Sequence, residues 1–314
     1  MSLPILYDIS SPKQPRSYAP NPSKARLALN FKQVAFSTEW VDLLHIETVR
    51  KGLQCLPTRK LDDGSDFYTL PMLHIPSTNT TIGDSFDIAT YLDESFPDSG
   101  AGQLFPPGSQ GKWQGYKSPA EDTPFFAPIT TNTGAASKYA AYAKFNLHVD
   151  ATFSAAMIGY GQYLPFNPET ENAVKAQMCK RAHLNSWDDL SIAGEAREAL
   201  RTPFMENLRG VAECFEGGGV YLEGSRACYA DLILGGWLNM LSVLMPEDEW
   251  NDFRTWHGGV FASLHDELQA KYFLQPAATP GQVEEKEPVK SRSGSQGPTV
   301  FLREQQSEMS TSCP

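Results

Sequence analysis

Basic residues are the minority charge in this sequence: 26 Lys and Arg stand against 37 Asp and Glu, for a net charge of −11 at pH 7. No stripe of Lys and Arg with interleaved aromatics occurs, so the electrostatic footprint of a nucleic-acid binder is missing. Long apolar runs are missing too. The longest apolar region, residues 232–245, contains Asn239 and Ser242 and falls short of the ~18 residues of a membrane span, so it reads as a buried helix. The opening MSLPILYDIS has neither a basic flank nor a long apolar core, so neither a secretory signal nor a membrane anchor is expected. Cysteine is scarce. Cys55, Cys179, Cys214, Cys228 and Cys313 are odd in number and form no CxxC pair, which reads as reduced thiols in a cytoplasmic protein. Cys313 has no prenylation box behind it, and the sequon at Asn79 carries little weight without a secretory signal. The six histidines show no HExxH spacing and give no support for a metal site. Gly159-Tyr160-Gly161 lacks the third glycine of a dinucleotide fingerprint, and there is neither a P-loop nor a GxSxG elbow.

What is present is enough to build substantial cores: 314 residues, 41% of them hydrophobic. The apolar segment at Ile5-Leu6-Tyr7 predicts a first strand. Asn21, followed by Pro22, predicts the cap and first position of a helix carrying Ala25, Ala28 and Leu29 on one face. A second strand is expected over 36–41, and 45–53 has no firm assignment. Residues 98–112, rich in Gly, Pro and Ser, form a connector. Beyond it the periodicity is helical. One helix is expected to include Tyr139, Tyr142 and Phe145. Another opens at Thr202-Pro203 and ends at Gly217-Gly218-Gly219, and a central buried helix covers 230–245. Trp237 and Trp256 read as core aromatics, and Asp231 as bonding back to the backbone at the start of that buried helix. The polar stretch 276–314 reads as a disordered tail.

Residues 68–97, YTLPMLHIPSTNTTIGDSFDIATYLDESFP, carry the most information. Leu70, Met72 and Ile75 belong to a strand that Pro71 interrupts, and a cis Leu70–Pro71 bond explains a proline there. Thr78, Asn79 and Thr80 supply a turn into a short second strand, and Asp84 opens a helix with Ile88, Ala89 and Leu92 at helical spacing. The resulting βαβ then ββα order is that of a thioredoxin-like sheet. A helix start offers unpaired N–H groups and partial positive charge, so the Asp84-Ser85 corner suits a carboxylate, while Asp84 suits an ammonium. Together they fit an α-amino acid head group such as the γ-glutamyl end of glutathione. The plain alternative is that Asp84 only caps its helix.

The order of Leu70-Pro71, Asp84-Ser85, ATYLDESFPDS at 89–99 and LFP at 104–106 resembles the amino-terminal domain of glutathione transferases. More narrowly, LYDIS at 6–10, YAPNPSKARLALNFK at 18–32 and FSTEWVDL at 36–43 resemble the fungal etherase-related group called FuA. So do VYLEGSRACYADLILGGWL at 220–238 and WNDFRTWHGG at 250–259. The resemblance implies an α/β thioredoxin-like amino-terminal domain and an all-α carboxy-terminal domain. Residues 1–98 would bind glutathione, 99–112 link, 113–275 form the helical domain with the acceptor pocket, and 276–314 the tail. It also implies glutathione as co-substrate and a homodimer.

Carried over residue by residue, the resemblance gives Leu70 a backbone pairing with the cysteinyl part of glutathione beside cis Pro71, and Asp84 and Ser85 the γ-glutamyl end. Gln54, Arg59 and Lys60 fall in the segment suited to the glycine carboxylate, although solvated surface charge is the plain reading for both cations. A thiol with pKa ~8.5 needs a donor or a helix dipole to become a thiolate near neutrality. The family often has a serine before the proline at the start of the first helix; here the pair is Ala19-Pro20. Ser17, Asn21 and Ser23 are the candidate replacements. Tyr18, Phe125, Phe126, Tyr139 and Tyr142 are expected to line the pocket for an apolar electrophile such as a quinone, epoxide, enone or aryl ether. Two other readings stay open: a lyase or isomerase with glutathione recycled or unused, and a non-catalytic glutathione-binding regulator.

Overall fold

The computed structural model describes residues 2–13, 16–61, 63–120, 138–215 and 217–273; the stretch 276–314, Phe125 and Phe126 lie outside them. The chain begins with β1 (Ile5–Ile9), α1 (Pro20–Phe31) and β2 (Ser37–Val41), in which β1 and β2 run parallel with Ile5 opposite Ser37. Next come α2 (Ile46–Gly52) and a two-stranded ribbon of β3 (Arg59–Lys60) and β4 (Asp66–Phe67). β5 (Met72–Ile75), β6 (Thr80–Ile82) and α3 (Ser85–Ser95) follow. β5 is antiparallel to both β1 and β6, so the sheet order is β2-β1-β5-β6. This is the thioredoxin-like arrangement that the βαβ and ββα order predicts, with 45–53 resolved as α2. Leu6 and Asp8 on β1 are fully buried, and the buried Asp8 carboxylate is held by Arg26 of α1 at 2.9 Å.

The remainder is helical: α4 (Ala140–Ala156), α5 (Glu171–Ala182), α6 (Gly194–Asn207), α7 (Arg209–Ala212), α8 (Tyr229–Leu244), α9 (Glu247–Phe253) and α10 (Val260–Leu268). Two helix starts differ from the sequence expectation. α1 begins at Pro20 with Ala19 as its cap residue, so Asn21 is the second helical residue rather than the cap. Pro20 has no N–H to lose and a fixed φ suited to the first position, and it takes that place ahead of Pro22. Pro203 does not open a helix but lies inside α6. The bond from position 203 to the carbonyl of Ala199 is lost, yet the stretch before it is anchored from elsewhere. Arg197 bonds both the carboxylate of Glu249 and the carbonyl of Gly159.

α8 is buried along nearly its whole length and lies directly against α1. A side-chain carbon at Gly236 would fall 2.5 Å from the Pro20 carbonyl oxygen and 2.7 Å from Lys24 Cγ, and one at Gly235 would fall 2.4 Å from Leu268 Cδ1. Gly236 is therefore what lets α8 approach the α1 backbone this closely, while Gly235 makes room for Leu268 of α10. At its start, Asp231 accepts the N–H groups of Cys228 and Leu222, each at 2.8 Å, as the sequence predicts. Trp237 and Trp256 are core residues. Among the described residues no helix is long and apolar enough to cross a membrane, and no group of three or more His, Cys, Asp or Glu is arranged to hold a metal ion.

One polar cluster crosses this apolar contact. Lys24 of α1, with a side chain 0% exposed, meets Asp150 of α4 at 2.5 Å and Asn146 Oδ1 at 2.8 Å. The same Asp150 accepts the Trp237 indole N–H at 2.7 Å. A buried ammonium without a carboxylate is far costlier than no ion pair at all. Asp150→Ala is therefore expected to lower stability by about 3–5 kcal/mol in urea unfolding, whereas Lys24→Met combined with Asp150→Leu should recover most of that loss.

Candidate active site

Three backbone features meet at the carboxy-terminal end of β1 and the start of β5. The Leu70–Pro71 bond is cis and leads into Met72, which pairs with Tyr7. The α3 start follows from the β6 side, and α1 starts opposite it. Leu70 and Pro71 are buried. Asp84 is the cap residue of α3, its carboxylate accepting the N–H groups of Phe86 at 2.8 Å and Asp87 at 3.4 Å. Burial, then the neighbouring Asp87, pushes its pKa up to about 6, against the pull of those two N–H groups. The cap function is thus present, and the second carboxylate oxygen is left for another partner.

Ser85 is the first residue of α3 and fully buried, and its hydroxyl makes no hydrogen bond of normal geometry. The phenol of Tyr229, at the start of α8, is likewise buried and unbonded, and its ionisation responds to both Ser85 and Asp84. Burial, then Asp84, raises the Tyr229 pKa well above its ordinary value, so it stands here as a neutral donor. The two buried hydroxyls face one another beside a helix start, and such a pair, with no bond of normal geometry, is costly unless a ligand or water completes it.

Arg50, which has no visible signal in sequence, ties this corner together. From α2 its guanidinium donates to the carbonyls of Leu56 at 2.5 Å, Thr69 at 2.6 Å and Gly83 at 2.9 Å. It fixes the residue before Leu70 and the residue before Asp84 in one frame. Beyond it, Gln54 is exposed with a left-handed φ of 53°. Lys60 is paired with Asp66 at 2.5 Å. Arg59 lies over the Phe67 ring at 5.6 Å without a carboxylate partner among the described residues.

At the α1 start, Ala19 offers no side-chain cap bond. Ser23 is fully buried; its Oγ accepts from Asn239 Nδ2 at 2.9 Å and stands 3.5 Å from Ser17 Oγ. Asn21 is half-buried. Tyr18 is buried, its phenol raised above its usual pKa first by that burial and then by Asp8 and Asp42.

The structure brings Ser17, Asn21 and Ser23 together at one helix start. Tyr139 and Tyr142 both pack on Phe105. They line an open cavity of about 630 Å³ with Asp93, Pro97, Phe105 and Gln114. Asp93 bonds Lys32, just past the far end of α1. Asp93 lies about two turns along α3 from Ser85, while Phe105 on the same wall packs on Phe86 and Tyr229 at the α3 start.

Arg50, Tyr229 and Asn239 are the site residues that sequence reasoning misses. Only Asn239 left a trace, as an amide in an apolar run that must find partners when buried. Arg50→Met leaves three carbonyls, of Leu56, Thr69 and Gly83, without their donor. It is expected to cost about 3 kcal/mol or more in urea unfolding, with Arg50→Lys recovering part of it.

Two family profiles match the chain. The glutathione S-transferase amino-terminal domain covers residues 18–95 and the glutathione S-transferase carboxy-terminal domain residues 179–272, together more than half of the chain. No curated protein sequence matches it. Among solved structures, the glutathione S-transferase CsGST63524 of Ceriporiopsis subvermispora, solved in complex with glutathione, is 26% identical with a TM-score of 0.67, over 88% of this chain and 100% of its own. Glutathione transferase GSTFuA3 of Phanerochaete chrysosporium is 24% identical with a TM-score of 0.66, over 88% and 100%. GSTFuA2 of the same fungus is 25% identical with a TM-score of 0.64, over 87% and 99%. With a thioredoxin-like sheet, a cis-proline strand beside the α3 start, an all-α remainder and family profiles on both parts, the chain belongs to the glutathione S-transferase family of enzymes.

Proposed function

We propose that this enzyme binds glutathione along the cis-proline strand and the α3 start, and turns its thiol into a nucleophile at the α1 start for attack on an apolar electrophile. The observation that carries this reading is the buried Ser85 hydroxyl, which has only the Tyr229 phenol near it and no bond of normal geometry, beside the half-buried Asp84 carboxylate, the pair of groups an α-amino acid head requires. In this reading Ser85 and the α3 amides take the γ-glutamyl carboxylate and Asp84 takes its ammonium. Leu70, before cis Pro71, pairs its backbone with the cysteinyl residue. Arg59 suits the glycine carboxylate better than Lys60, which Asp66 already occupies. The glutathione in the Ceriporiopsis subvermispora structure adds support from a relative.

The sulfur then faces the start of α1, where helix amides and a hydroxyl favour the thiolate. Ser17, Ser23 and Asn21 are the groups within that region. The thiol proton leaves to solvent, and the thiolate adds to a quinone or enone or opens an epoxide, the resulting oxyanion taking a proton from solvent, or it displaces the aryloxide of an aryl ether, which departs as the phenol. A cytoplasmic homodimer is the form we infer for the working enzyme. A glutathione-binding protein without thiol activation is the second reading, favoured by Ala19, which brings no side-chain donor to the α1 start.

Calorimetric titration with glutathione tests the first reading. Saturable binding is expected, weakened about tenfold by Ser85→Ala through loss of a charge-assisted hydrogen bond. Because Asp84 must be ionised to hold the ammonium and titrates at about 6, affinity should be level above that pH and fall about tenfold per unit below it. An affinity unchanged between pH 7 and 5, or no binding at millimolar glutathione, would overturn the head-group assignment.

A further inference from the structure

Arg59 and Phe67 stand opposite each other in the ribbon of β3 and β4, and the Arg59 guanidinium carbon lies 5.6 Å from the centre of that ring. A second guanidinium reaches the same ring. Arg181, the last residue but one of α5, places its own 5.1 Å from the ring centre. Two cations, one from the thioredoxin-like part and one from the helical part, thus gather on one aromatic ring, no further apart than those two distances laid end to end. α5 is pinned to this course at its other end. Its cap residue Thr170 donates to Asp42 Oδ2 at 2.8 Å, and Asn167 donates to the same oxygen at 2.5 Å and to Ser10 Oγ at 2.7 Å.

Neither guanidinium has a carboxylate partner among the described residues, and the acids around them are taken. Asp66 pairs with Lys60 at 2.5 Å and Glu47 with Lys51 at 2.6 Å, while Asp63 accepts the N–H and the hydroxyl of Ser65 at 2.9 and 2.5 Å. Arg59 Nε is buried without a hydrogen-bond partner. Arg181 as a residue is exposed, yet the protein packed round its guanidinium, and then the charge of Arg59, hold its pKa below the ordinary value. A cation over a ring is favourable, and a basic residue suits the last turn of a helix. Neither effect supplies an acceptor for a buried Nε, and neither offsets the repulsion between two like charges. The element that does both is an anion with two oxygens in one plane, which a guanidinium fork receives in parallel bonds.

We propose that Arg59 and Arg181 form an oxyanion site, suited to a carboxylate, between the ribbon and the end of α5, with Phe67 as its apolar wall. The occupant turns a repulsive approach of two cations into a bridge, and so ties the helical part to the ribbon when it binds. Two sources of carboxylate fit. Phe67 precedes Leu70 by three residues, at most about 10 Å of chain, which puts the glycine carboxylate of a glutathione held at Leu70 within range. For that source the inference rests on the glutathione reading above and adds to it a residue of the helical part. The other source is a carboxylate carried by the acceptor.

The test compares the full wild-type chain with Arg59→Gln and Arg181→Gln in two measurements. Thermal unfolding in inorganic phosphate, against chloride at equal ionic strength, reads the site itself: phosphate should raise the wild-type Tm by about 2 °C or more beyond its effect on either variant. Calorimetry then identifies the source, using glutathione and its glycine ethyl ester, in which that carboxylate is blocked. With the glycine carboxylate as occupant, each variant binds glutathione about tenfold more weakly than the wild type, and all three chains bind the ester alike. With the acceptor as source, all three bind glutathione alike and the phosphate difference remains. Removing one of two like charges relieves repulsion, so ligand-free Arg181→Gln should unfold at no lower urea concentration than the wild type, which marks its losses as losses of binding. An equal phosphate response in all three chains, together with equal glutathione affinity, overturns the site and leaves glutathione binding intact. A wild-type chain that does not bind glutathione but keeps the phosphate difference overturns the glutathione reading alone.

Discussion

A single buried ammonium holds the two parts of this molecule in register. Lys24 has no exposed surface and sits between Asp150 and Asn146 of α4, and Asp150 is held in turn by Trp237 of α8. Such a group tolerates only one arrangement of its neighbours, because any shift that separates the charges leaves each in a low-dielectric interior. Lys24 lies one turn from the α1 start, so the same constraint fixes where that start stands against the helical part. Gly236 supplies the steric counterpart by letting α8 come within contact of the α1 backbone, and Gly235 makes room for Leu268 of α10.

From this fixed helix the site is laid out by short polar ties. Arg50 binds the carbonyls ahead of Leu70 and of Asp84, which places the cis-proline strand and the α3 start in one frame. Asn239 binds the loop ahead of α1. Tyr229 reaches Ser85 from α8. Each of these residues is buried, and each acts on a segment distant in sequence. The cleft is therefore organised from beneath, by side chains that need never touch a ligand, and the chemistry at its surface depends on them for direction and spacing.

This division explains what was legible in the sequence. The strand with Pro71, the turn at Asn79 and the Asp84 cap are local signals, each written within a few residues, and the structure has all of them. The sheet order followed from them. The α1 start was misplaced by two residues because two Pro positions offer equally good local starts, and Pro203 misled because a lost helical bond is tolerated where Arg197 anchors the helix. Arg50, Tyr229 and the Lys24–Asp150 pair were invisible because nothing local distinguishes a basic residue in a helix from a solvated one. The Lys24 partner Asp150 lies 126 residues away. For the pocket, the tyrosines at 139 and 142 share an aromatic cluster with Phe105, which itself packs on Phe86 and Tyr229 beside Ser85, a neighbourhood that sequence spacing does not encode.

The most direct measurement is a crystal structure of the full chain grown with glutathione. The γ-glutamyl head should occupy the Asp84-Ser85 corner, the cysteinyl residue should pair with the Leu70 backbone, and the sulfur should face the α1 start. Glutathione bound away from this corner, or seated there with its sulfur turned from α1, would contradict the proposal that this helix start activates the thiol.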